Sequence, residues 1–222
     1  AGLKYRDAFL RHEELCTRYV EFIDNKNSKI NAKTLYPYDI VRNVWKCGYF
    51  YDSSKRRVLD KYWKALPDYF EGKPCSILPV VDNSGSMTWN ENGGVIPIDV
   101  AVSLGIYCAE RNVGDFHNHY ISFSRTPKLV EIKGNDIVGK AYSAVKNILY
   151  EETNIEAVFD LILNTLKKNN LSEEYLPKHI VIISDMEFDE GTNCNDSEIL
   201  MERIRKQWKK EGKTIGLVPT MG

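Results

Sequence analysis

The pattern of apolar and polar positions changes about one third of the way along the chain. From residue 3 to about residue 70, apolar side chains recur every three or four positions, as in amphipathic helices. From residue 76 onward, short apolar runs alternate with helical stretches, which is typical of a parallel sheet covered by helices. We therefore predict a helical segment over residues 1–75 and an α/β domain over residues 76–222, with an open, mostly parallel, doubly wound sheet flanked by helices.

The N-terminal segment carries three helical patterns. The first places apolar side chains at Tyr5, Phe9, Leu15, Tyr19 and Phe22. A second helix is expected from Pro37, because proline suits the first turn of a helix. A third helix is expected to follow Asp52-Ser53-Ser54 and to stop at Pro67. Residues 66–74 have the composition of a linker.

In the α/β part, strands are predicted at residues 77–81, 119–124, 129–132, 180–183 and 214–218. Helices are predicted from Pro97, over 135–149, from Thr153 and over 197–210. Pro79 lies inside the first apolar run and has no N–H group for a central ladder, so we expect that strand to start or bulge there.

Oxygen-bearing side chains follow two of these strands. Asp82 ends the first apolar run and is followed by Ser84 and Ser86, with a turn expected at Gly85 because glycine tolerates unusual backbone angles. Asp185 ends the 180–183 run. If the two strands are neighbours, both carboxylates face the crevice where ligands bind in open α/β sheets. Hydroxyl and carboxylate oxygens suit Mg²⁺ or Ca²⁺ better than zinc or copper.

Together with Thr153, which can supply a further hydroxyl, these residues resemble a known site. Asp82-Asn83-Ser84-Gly85-Ser86, then Thr153, then Asp185 resemble the metal-ion-dependent adhesion site of von Willebrand factor type A domains. The resemblance covers about residues 76–218 and implies the von Willebrand A, Rossmann-like form of the fold.

The same resemblance implies roles for the five residues. Ser84 and Ser86 are expected to bind Mg²⁺ directly, with Ca²⁺ or Mn²⁺ as alternatives. Asp82 and Asp185 are expected to act directly or through water, and Thr153 to be a switchable ligand. A partner protein then completes the coordination with a carboxylate. The function implied is a non-enzymatic, metal-dependent binding module.

A second resemblance suggests an alternative function. The Asp82 motif, Ser184-Asp185-Met186-Glu187-Phe188-Asp189 and the helix at Tyr36-Pro37 resemble an uncharacterised family that joins a helical region to a type A domain. That family is similar to the TROVE-containing Ro autoantigen proteins, which implies an RNA-binding component of a ribonucleoprotein with the metal site secondary. It also implies that residues 1–75 end a longer helical-repeat region and that the type A domain is cut short at its C-terminus. The candidate RNA contacts are basic helix residues: Lys55, Arg56, Arg57, Lys61, Lys64, Arg203, Arg205, Lys206, Lys209 and Lys210.

Two structural explanations compete with the metal site. Thr153-Asn154-Ile155-Glu156 is also a capping box, with Thr153 as the N-cap. Asp82 and Asp185 can also be simple turn formers at strand ends.

Composition narrows the kinds of protein and partner that the sequence allows. With 43% hydrophobic and 27% charged residues, the chain is expected to be a soluble globular protein. A net charge of −1 gives no general attraction to nucleic acid or anionic membranes, and no apolar run approaches the roughly 20 residues of a membrane span. The five cysteines are odd in number and form no CxxC pair, which favours reduced thiols and a cytoplasmic location.

Three common catalytic patterns are missing from the sequence. An aspartyl phosphotransferase needs a second acid two residues after its nucleophile, where Ser84 stands here. Serine nucleophiles need a base, and His179 begins the strand that Asp185 ends, so it is expected at the far edge. There is no Gly-x-x-x-x-Gly-Lys loop. We therefore expect no catalytic residues. The net charge and the short apolar runs likewise predict no membrane partner.

Overall fold

The computed structural model describes residues 5–25, 27–47, 53–89, 94–146, 154–185 and 197–210. Within these ranges the helices are α1 (Arg6–Leu10), α2 (Glu13–Asp24), α3 (Pro37–Cys47), α4 (Ser53–Lys64), α5 (Pro97–Arg111), α6 (Ile137–Val145), α7 (Ile155–Lys168) and α8 (Ser197–Lys210). The strands are β1 (Ile77–Asp82), β2 (His119–Phe123), β3 (Lys128–Glu131) and β4 (His179–Ile183). The predicted α/β class is confirmed, with helices before and between the strands.

The described strands form one mixed sheet in the order β3-β2-β1-β4. β1 runs parallel to both of its neighbours, β2 and β4. β3 is antiparallel to β2, which confirms the predicted hairpin. The carboxyl ends of β1, β2 and β4 therefore meet at one edge of the sheet, which we call the carboxyl edge. The strand predicted at 214–218 lies outside the described residues.

Helices cover both faces of this sheet because side chains alternate along β1. Leu78 and Val80 are fully buried against α7 and α8, together with Phe123 of β2. Val81 points to the opposite face and packs with α5 and α6. The apolar core on the face covered by α5 and α6 also includes the N-terminal helices, since α3 packs against α5 and α4 against α6.

A polar clamp joins α4 to the start of α6. Asp136 caps α6 by accepting the N–H of Gly139 at 2.8 Å and forms an ion pair with Arg56. Asp60 accepts the N–H of Ile137 at 3.2 Å. Burial by itself would raise the pKa of the Asp136 carboxyl, but the bonds from Arg56 and the helix start hold that pKa below its usual value. The division of the chain into a helical segment and an α/β domain at residue 75 stays a prediction.

Two local predictions about the chain path are wrong. The first apolar pattern forms two helices rather than one, because the chain is extended at His12, between Leu10 and Glu13. β1 neither starts nor bulges at Pro79. The strand begins at Ile77, and pairing with β2 starts only at Val80, so the proline is paired on one side alone.

The described helices and cysteines have two further properties. No helix in the described ranges has the length and apolar character needed to span a membrane. Cys16, Cys75 and Cys108 are free thiols, and burial raises the pKa of Cys108 to about 11. The cytoplasmic location stays a prediction.

Gly105 allows α5 to approach β1 closely. A Cβ atom at this position would lie 2.5 Å from Cγ2 of Val81. We expect Gly105→Ala to lower the free energy of unfolding by about 1–3 kcal/mol, although alanine favours a helix interior by about 1 kcal/mol. Urea unfolding followed by circular dichroism measures the change.

The double variant Val81→Ala, Gly105→Ala is the control for this contact. The valine-to-alanine change removes the methyl groups that the new Cβ atom would meet. The double variant should therefore lose less stability than the sum of the losses in the two single variants. Equal or greater stability of Gly105→Ala relative to the wild type would show that α5 can move away without cost.

Candidate functional site

Asp82 lies at the centre of the carboxyl edge, as the last residue of β1. Its side chain is 0% exposed. One carboxylate oxygen accepts the N–H of Ser84 at 2.9 Å, and the other accepts the hydroxyl of Ser184, just beyond β4. A buried carboxylate that accepts two protein donors fixes the loop after β1 and carries a negative charge into the edge.

Two serine hydroxyls lie side by side in that loop. The Oγ atoms of Ser84 and Ser86 are 3.0 Å apart. Ser86 opens a short 3₁₀ turn, Ser86–Thr88, whose Met87 side chain is buried in the core between the sheet and α5. The Oγ1 and N atoms of Thr88 donate to the carbonyl of Gly85 at 2.7 and 3.1 Å. The hydroxyl pair is thus carried on an anchored turn.

The expected special conformation of Gly85 is wrong. Its backbone has φ −62° and ψ −36°, which any residue adopts. A Cβ atom there would meet nothing within 4 Å. The turn is produced by the hydrogen bonds of Thr88 and by the bond from Ser84 to Asp82, not by glycine's conformational freedom.

Asp185 lies at the same edge, on the chain that leaves β4. β1 and β4 are neighbours, with Val81 level with Ile183, and Ser184 reaches Asp82. Asp185 follows directly and is exposed. The condition that the two acid-bearing strands are adjacent is therefore met.

Thr153 lies outside the described residues, but the helix that follows it is described. The N-cap of α7 is Asn154, whose side chain accepts the N–H of Ala157 at 3.1 Å. The predicted capping box with Thr153 as the N-cap is therefore wrong. Asparagine is at least as good a cap as threonine, and the helix begins one residue later than expected.

The hydroxyl pair has the geometry of a magnesium ligand pair. Mg²⁺ binds oxygen at about 2.0–2.1 Å in an octahedron, so adjacent ligand oxygens lie about 2.9 Å apart. The 3.0 Å between the Oγ atoms of Ser84 and Ser86 fits that edge, and it is also a normal hydrogen-bond length. Among the described residues no group of three or more His, Cys, Asp or Glu side chains could hold a metal ion. A cation here would have hydroxyl ligands.

The sequence interpretation gave no role to three residues near this edge: Ser184, Trp89 and Arg125. Ser184 binds Asp82, and only the pairing of β4 with β1 reveals that contact. Trp89 ends the 3₁₀ turn and is 69% exposed. Arg125 follows the buried Ser124 after β2 and is exposed. The available signal was their position just after strand ends or after the serine motif.

The basic residues of α4 are largely used within the fold. Arg56 pairs with Asp136, Arg57 with Asp24 at 3.2 Å, and Lys64 with Asp60. The Nζ atom of Lys61 donates to the carbonyl of Asn25 at 2.7 Å. On α8, Arg203 pairs with Glu156, and Lys206 lies 3.7 Å from Glu202. These contacts leave less free positive charge for RNA than the sequence suggested.

His179, the histidine considered as a base for the serines, lies far from them. His179 is the first residue of β4, and Ser184 lies beyond its last. At about 3.3 Å per strand residue, His179 is about 16 Å from the carboxyl edge. It is therefore out of reach as a base for Ser84 or Ser86.

Comparison with known proteins identifies relatives of unknown activity. A family model described as a domain of unknown function, DUF7788, matches residues 76–221. An uncharacterized protein, L728, of Acanthamoeba polyphaga mimivirus is 26% identical over 201 residues, which is 90% of this chain and 33% of that protein. The chain thus spans about a third of the length of this relative. Because the family model covers most of the chain, including the whole carboxyl edge, the chain belongs to the DUF7788 family.

Proposed function

We propose that this chain is a non-enzymatic binding module that engages a carboxylate of a partner protein through a divalent cation at the carboxyl edge. The observation that carries the proposal is the anchored hydroxyl pair of Ser84 and Ser86, 3.0 Å apart beside the buried Asp82. The sheet order and the helices on both faces support a doubly wound fold of the von Willebrand A type.

In this proposal Ser84 and Ser86 hold the cation with their hydroxyl oxygens. Both oxygens of Asp82 already accept protein donors, so this carboxylate acts mainly through its charge and through water. Asp185 adds a second carboxylate from the neighbouring strand, and Thr153 a further hydroxyl. When bound, the dication offers an electrophilic position to an oxygen of the partner's carboxylate.

The spacing of the hydroxyl pair fits Mg²⁺ or Mn²⁺ in an octahedron and also fits Ca²⁺. Calcium binds oxygen at about 2.3–2.6 Å, often in a pentagonal bipyramid, whose neighbouring equatorial oxygens lie about 2.8 Å apart. The 3.0 Å between the Oγ atoms of Ser84 and Ser86 is therefore compatible with all three cations.

The competing functions have less support from the described residues. His179 is out of reach of both serines, which argues against its use as the base of a nucleophilic mechanism. No specific contact favours RNA, because most of the basic residues of α4 are paired within the fold. A cytoplasmic location remains part of the proposal and rests on the cysteine pattern.

Calorimetric titration of the chain with MgCl₂, MnCl₂ and CaCl₂ tests the proposal. We expect saturable Mg²⁺ binding, and a loss of at least about 100-fold in affinity when both Ser84 and Ser86 are changed to alanine. The exposed Ser172, at the opposite edge of the sheet, provides the control Ser172→Ala, which should bind as the wild type does. Absent binding at millimolar Mg²⁺, or binding that survives the double substitution, would overturn the proposal.

A further inference from the structure

An exposed tryptophan stands beside the proposed cation site. Trp89 is 69% exposed, whereas Trp63 and Trp208 are 3% and 2% exposed. Tryptophan is usually among the more buried side chains, and exposed indoles are enriched where proteins bind other proteins. The exposure of Trp89 therefore points to a contact made with another molecule.

Trp89 is held on the same turn as the hydroxyl pair. The backbone N–H of Trp89 donates to the carbonyl of Ser86 at 3.3 Å, and the buried Met87 anchors the turn between them. The indole is therefore three residues from the second hydroxyl, on a segment fixed by hydrogen bonds and core packing. A ligand held at the serines would lie within reach of the indole.

An exposed guanidinium lies at the carboxyl end of β2, the strand that pairs with β1 beside Asp82. Phe123 pairs with Asp82 across β1 and β2, and Arg125 and Ser84 each stand two positions beyond that pair. Arg125 is exposed and makes no ion pair with any described residue. The carboxyl edge thus combines a hydroxyl pair, an indole and a guanidinium.

We propose that the partner is an acidic protein segment in which an apolar side chain lies next to the cation-binding carboxylate. This inference rests on the proposed function and adds the chemistry of the partner. Trp89 covers the apolar side chain, and Arg125 pairs with a second acidic group. A protein partner is favoured over RNA because most basic residues of α4, which could otherwise hold phosphates, are paired within the fold.

Two capped, fluorescently labelled pentapeptides provide the test by polarisation in MgCl₂. One has a central aspartate flanked by leucine and glutamate, and the other replaces these flanks with glycine and glutamine. We expect the first to bind the wild-type chain more tightly. Trp89→Ser should weaken its binding about tenfold, and Arg125→Gln several-fold, with the second peptide little affected. The Mg²⁺ affinity of both variants, measured without peptide, should equal that of the wild type.

The outcomes separate this inference from the proposed function. If Mg²⁺ binds but neither peptide does, or if Trp89→Ser leaves both peptides unaffected, the inference is overturned and the cation site stands. If poly(U) quenches the Trp89 emission and the peptides do not, the indole serves RNA and the inference is again overturned. If the wild-type chain binds no Mg²⁺, both ideas fail.

Discussion

Asp82→Asn should remove measurable Mg²⁺ binding while the chain stays folded. A unit charge about 4 Å from a dication contributes several kcal/mol even at the effective dielectric constant of a protein surface. Each loss of about 1.4 kcal/mol lowers affinity tenfold. We therefore expect at least a 100-fold loss in calorimetric Mg²⁺ titrations of this variant.

The fold should tolerate this substitution because asparagine can keep both hydrogen bonds. Its carbonyl oxygen can accept the N–H of Ser84, as the Asp82 carboxylate does at 2.9 Å. Its amide nitrogen replaces the oxygen that accepts from Ser184, and the Ser184 hydroxyl can rotate to become the acceptor. The two bonds lose their charge assistance, which should cost about 1 kcal/mol of stability.

Asp115→Asn is the matched control for the loss of charge. Asp115 is an exposed acid in the short turn before β2, at the opposite edge of the sheet. The substitution removes the same unit of charge far from the serines, so the Mg²⁺ affinity of this variant should equal that of the wild type. Unchanged affinity in Asp82→Asn, or an equal loss in both variants, would mean that Asp82 does not hold the cation.

The parts of this site that sequence could predict depend on local patterns. A buried apolar strand that ends in an acid is visible at residues 77–81 and again at 180–183, and both strands were placed within two residues of their observed bounds. The adjacency of β1 and β4 was only a condition of the predicted site, because no residue pattern indicates it; the sheet order meets that condition.

The parts that could not be predicted depend on competition between near-equal choices or on tertiary contacts. Thr153 and Asn154 are both good N-caps by residue type, so the sequence does not choose between them; the structure shows Asn154 as the cap of α7. Glycine at position 85 suggested an unusual conformation, but the hydrogen bonds of Thr88 produce the turn with ordinary angles. The bond from Ser184 to Asp82 joins residues 102 positions apart and is set only by the strand register.

Trp63→Ala should destabilise the helical segment and the α/β part together. Trp63 is 3% exposed, its Nε1–H donates to Glu110 of α5 at 2.7 Å, and its ring packs edge-on against Tyr107. Removing a buried tryptophan costs about 3–5 kcal/mol. Urea unfolding followed by circular dichroism should show one transition, shifted to lower urea.

Trp89→Ala is the control, because it removes the same side chain from a site that is 69% exposed. Its stability should lie within about 0.5 kcal/mol of the wild type. A single shifted transition in Trp63→Ala means that residues 1–75 and 76–222 share one core, as the joint packing of Val58, Leu59 and Ile106 indicates. Two separate transitions, with the second unchanged, would mean that the segments fold independently and that the core between them contributes little. The same measurement therefore decides whether a partner bound at the carboxyl edge also stabilises the N-terminal helices, since binding stabilises only what unfolds with the site.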